Sequence, residues 1–98
     1  MKRTRAKPAN LDPKHPYDQR IVEVCPGYYN TFLKMGLEDV ARVLLLLPDM
    51  PHDMPADQRQ RVAKALYAFA DELNDKDEEY YLNRLADRVL GYSADEEG

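Results

Sequence analysis

The chain is poor in the residues on which several large protein classes depend: one cysteine, four glycines, two histidines and no tryptophan in 98 residues. Cys25 can form no internal disulfide, so the chain is not a disulfide-stapled secreted scaffold, and a reducing cytoplasm is the expected compartment. The glycines stand at 27, 36, 91 and 98, too scattered for a phosphate-cradling loop or a dinucleotide fingerprint. The longest aliphatic run, residues 43–47, falls far short of the roughly 18 residues of a membrane span. No N-terminal apolar stretch resembles a signal peptide, and no period-2 run is backed by hairpin turn signals, which argues against a sheet.

What the chain does have is helical periodicity. Val62, Leu66, Phe69 and Leu73 recur at i, i+4, i+7 and i+11, flanked by alanines, while Asp57, Gln60, Arg61 and Lys64 take the opposite face. The spacing predicts a helix that runs to about Asn74, capped by Asp53 with Pro55 in its first turn. A last helix starts from Asp75, which has Glu78 three residues on in a capping-box-like spacing, and stops at Gly91. Leu82, Leu85, Ala86 and Val89 form its packing side, whereas Tyr80 shares a face with Asn83, Arg84 and Asp87.

A third helix is expected over 37–47, opening on Glu38 and Asp39 and ending before Pro48. Its apolar positions, including Val43 and Leu45, sweep about 200°. Leu46 falls among the polar residues, so Val43 and Leu46 are the expected contacts of a homodimer. Tyr17, Ile21, Val24 and Cys25 suggest a short helix over 17–25, although its β-branched residues would also suit a strand. Another short helix covers 28–35. The fold expected is all-α: a small antiparallel helical bundle of three main helices, with one or two short N-terminal helices packed across it.

Charge divides the chain. Net charge is −4, yet residues 1–20 hold six basic residues against two acidic ones, so the remainder is strongly acidic. Residues 1–16, with Pro8, Pro13 and Pro16 and one large aliphatic side chain, are expected to form a flexible basic arm. The helical domain is expected over 17–92 and an acidic tail over 93–98.

Catalytic apparatus is hard to assemble from this composition, and no catalytic residue is assigned. Ser93 lies in the tail, and Cys25 completes an apolar stripe with no histidine in its helix. Asp49, His52 and Asp53, even with His15 and Cys25 added, make a poor metal-ligand set, so neither a metal nor a cofactor is expected. The sharper feature is the turn over 71–79, with six acidic residues and one lysine. The helix dipole accounts for Asp77, Glu78 and Glu79 at a helix start, but Asp71 and Glu72 stand near a helix end, where anions are disfavoured.

The resulting expectation is a non-enzymatic protein–protein interaction module, an inhibitor, adaptor or assembly factor that shows an acidic helical surface to a basic partner protein. An inhibitor of phage or plasmid type would suit that description. The contact residues expected are Asp71, Glu72, Asp75, Asp77, Glu78, Glu79, Tyr80 and Tyr67, since tyrosine gives contact area at small entropic cost. The alternative is a nucleic-acid-associated regulator that contacts phosphates through Lys2, Arg3, Arg5 and Lys7.

Overall fold

A computed structural model describes residues 7–92. Among them there are five α-helices and no strand: α1 (Pro16–Val24), α2 (Tyr29–Lys34), α3 (Glu38–Leu46), α4 (Ala56–Asp71) and α5 (Lys76–Leu90), with a 3-10 turn over Cys25–Tyr28. Lys2, Arg3, Arg5 and the acidic tail lie outside the described residues, and Lys7 is exposed.

The boundaries follow local chemistry. Pro16 occupies the first turn of α1, where a missing N–H costs nothing. Asp75 caps α5 by accepting from the backbone N–H groups of Asp77 and Glu78. Gly91, at φ 103°, ends α5 in the left-handed conformation that a side chain would disfavour. Asp53 is not the cap of α4: that position belongs to Pro55, and no side chain caps the helix. Both oxygens of Asp53 instead accept from Arg42 Nη2, at 3.0 and 2.9 Å, which ties the loop to α3 and holds the Asp53 carboxyl below its ordinary range.

α4 and α5 pack along each other and α1 lies on α5, while α2 packs on α3. Leu66, Leu82, Leu85 and Phe32 are wholly buried, and Leu44 nearly so, in one apolar cluster. Phe69, expected in the core, is half-buried at its margin, with Phe32 4.8 Å and Tyr28 5.2 Å from its ring.

Two expectations about surfaces change. Val43 is completely buried within its own chain and so presents no surface for the expected self-association contact, whereas Leu45, counted in the apolar sweep of this helix, is 68% exposed and Leu46 38%. On a helical wheel Leu45 shares the outer side of α3 with Glu38 and Arg42. The second change concerns the N-terminal arm. Pro8 and Leu11 are buried, Ala9 N–H donates to the Arg88 carbonyl at 2.8 Å, and Asp12 N–H donates to Asp18 at 2.8 Å. Residues 8–12 of the expected arm thus pack on the body, tied to α5 through Ala9 and to α1 through Asp12, while residues 1–6 lie outside the described residues.

Candidate functional site

The second half of α5 is buried all round. Every residue from Arg84 to Leu90 is at most 8% exposed, three ionisable side chains included. Positions 80, 84 and 88 share one helix face, and α1 covers it. Asp18 of α1 accepts from Arg88 Nη2 at 2.9 Å and lies 3.4 Å from Arg84 Nη2, with all three side chains at or below 5% exposure. Its other oxygen takes the Asp12 N–H. Next to this cluster, Tyr67 of α4 donates its hydroxyl to Asp87, and Arg59 donates to the Val89 carbonyl at 3.2 Å. A face that reads as solvated is thus an ionic layer joining three helices and the N-terminal segment.

The acidic turn is divided between structural and solvent-facing duties. Asp71, Glu72, Asp75 and Asp77 are exposed; Glu78 and Glu79 are half-buried. Glu78 accepts the Tyr28 hydroxyl at 2.6 Å, tying the start of α5 to the 3-10 turn. Burial first, then this bond to a carboxylate, pushes the Tyr28 phenol pKa upward. Asp71, Glu79 and Tyr67 come together with Lys64, Ala68 and Asn83 around an open groove of about 450 Å³ between α4 and α5. Glu72, Asp75, Asp77 and Tyr80 stand outside that lining.

Tyr80 has a different neighbour. Its ring meets Tyr17 of α1 edge to face at 5.1 Å, and both stay nearly half exposed, at 44% and 46%. Arg84 lies behind the pair, 5.1 Å from the Tyr17 ring and 5.5 Å from the Tyr80 ring, and its Nη1 donates to the Tyr80 hydroxyl at 3.0 Å. Tyr17 escapes a sequence reading because its i, i+4 spacing to Ile21 places it on the packing stripe of α1. Ile21 is buried as that spacing implies, but Tyr17, one turn earlier, reaches the edge of the interface.

No protein-family model matches this chain, and neither does any curated protein or solved structure. Among the described residues, no three His, Cys, Asp or Glu side chains are placed to share a metal ion, and no helix is long and apolar enough to cross a membrane. Cys25 is buried, and burial pushes its thiol up to about 12, far from the thiolate that nucleophilic chemistry needs.

Proposed function

We propose that this chain is a non-enzymatic interaction module whose acidic α4–α5 turn engages the basic surface of another protein, in the manner of an inhibitor, adaptor or assembly factor. The observation that carries the reading is the exposure of Asp71 and Glu72 at the C-terminal end of α4, next to the carboxylates that open α5. Dipole compensation favours carboxylates at the start of α5 and disfavours them at the end of α4. Neither exposed residue is needed to close the core. The negative field therefore finds its use outside the chain, where it speeds encounter with a cationic surface.

The test is a kinetic comparison with a basic protein captured from the native host. Reversing Glu72 and Glu79 to lysine should slow association and flatten its salt dependence, while the circular dichroism of the helices stays unchanged. Association rates that are the same for both proteins at every ionic strength would reject the acidic turn as the contact.

A further inference from the structure

Resting on the acidic-turn reading, we infer that Tyr17 and Tyr80 form a preformed aromatic anchor for an arginine-bearing basic segment of a partner protein. Three observations support this. The first is exposure without disorder: the rings are nearly half exposed, yet each is held by the other at 5.1 Å and by Arg84 behind them. Arg84 is itself fixed from below, being 4% exposed and 3.4 Å from Asp18, and it also donates to the Tyr80 hydroxyl. Tyrosines fixed before binding lose little conformational entropy when a partner covers them, which is what gives rigid aromatics their weight in interfaces.

The second observation is position. Tyr80 follows Glu79 directly, and Asp77 lies three residues before it, within one helical turn. Tyr80, and the ring pair through it, therefore borders the segment 71–79, whose net charge is −5, six acidic residues against Lys76. An anionic rim beside an aromatic centre has the anatomy of a surface that recognises cations, with the rim steering approach and the rings holding what arrives.

The third is chemical fit. A guanidinium packs flat on a tyrosine ring while its aliphatic stem covers the neighbouring edge, and it can pair with a carboxylate at the same time. Lysine can pair but stacks less well. A nucleic acid could stack on the rings, but its phosphates would face the acidic rim.

The probe for the test is an octa-arginine peptide added to the full chain, with binding followed by NMR of the tyrosine ring signals and by titration. The expected result is saturable shifts at Tyr17 and Tyr80 together with the acidic turn. Tyr80→Ala should weaken binding about fivefold or more, in the range of an interface hot spot, whereas Tyr80→Phe, which keeps the ring, should bind nearly as the parent does. Shifts confined to the acidic turn, with no loss of affinity in Tyr80→Ala, would overturn the anchor and leave the acidic-turn reading standing. An absence of binding, or affinity unchanged on reversing Glu72 and Glu79 to lysine, would overturn both. Tyrosine shifts caused by oligothymidylate and not by the peptide would overturn the anchor in favour of a nucleic-acid platform.

Discussion

Replacing Asp18 with alanine tests the buried ionic layer most directly. The carboxylate is completely enclosed and faces Arg88 at 2.9 Å, Arg84 at 3.4 Å and the Asp12 N–H at 2.8 Å. Its removal leaves two enclosed guanidiniums without their carboxylate on α1 and a backbone donor without its acceptor. Breaking a buried pair from one side costs about 3 to 5 kcal/mol, chiefly because the remaining charge stays desolvated. A domain of this length is stable by only about 5 to 15 kcal/mol, so the loss is a large share of the whole. With a urea m-value of about 1.5 kcal/mol per molar, the unfolding midpoint should fall by roughly 2 to 3 M. Asp18→Asn keeps the shape and part of the hydrogen bonding, and should fall between parent and alanine variant. Asp57→Ala, which removes an exposed partner 3.8 Å from Arg61, should hardly move the midpoint. A shift below about 0.5 M for Asp18→Ala, at unchanged m-value, would refute the view that this layer holds α1 to α5.

Leu66 is wholly buried, so Leu66→Ala should cost about 2 to 5 kcal/mol in the same assay, and a loss well under 1 kcal/mol would mean that the α4 face is misassigned. The Cys25 thiol, raised from an ordinary 9.0 to about 12 by burial, binds its proton more tightly folded than unfolded. Its contribution is complete below pH 9 and lost as pH rises toward 12, so alkaline unfolding should be steeper than in Cys25→Ala; identical pH profiles above pH 9 would contradict this. Homodimerisation, if it uses α3, rests on Leu45 and Leu46, and Leu45→Glu should abolish any dimer seen by light scattering; a dimer that survives it lies on another face.

Much of the fold is legible residue by residue. The i, i+4 spacing of Val62 and Leu66, the Asp75 cap and the Gly91 stop are local features whose physics acts within one or two turns, and each stands where the sequence implies. Asp53 shows the limit: its position before a proline-led helix suits a cap, but Arg42, eleven residues away, offers a charged partner. The candidate site is legible to the same extent. The acidic residues of the turn can be listed from the sequence, because adjacent carboxylates remain adjacent in any fold. That Glu78 is occupied by Tyr28, fifty residues earlier, cannot be read there.

The sequence by itself determined the helical character of α3, α4 and α5, the two ends of α5 and the segregation of charge, since these depend on periodicity, capping and composition; the start of α4, and its end at Asp71 rather than near Asn74, it did not. The tertiary structure decided which polar residues are enclosed. Arg84 shares with Tyr80 and Asp87 a face that looks solvated, and its enclosure depends on Asp18, more than sixty residues away along the chain. The Arg84 and Arg88 guanidiniums are buried where the Asp18 carboxylate arrives from another helix to offset their desolvation, and that meeting is a property of packing rather than of local pattern. Packing also brings Tyr17 beside Tyr80, joining two unremarkable exposed rings into one surface.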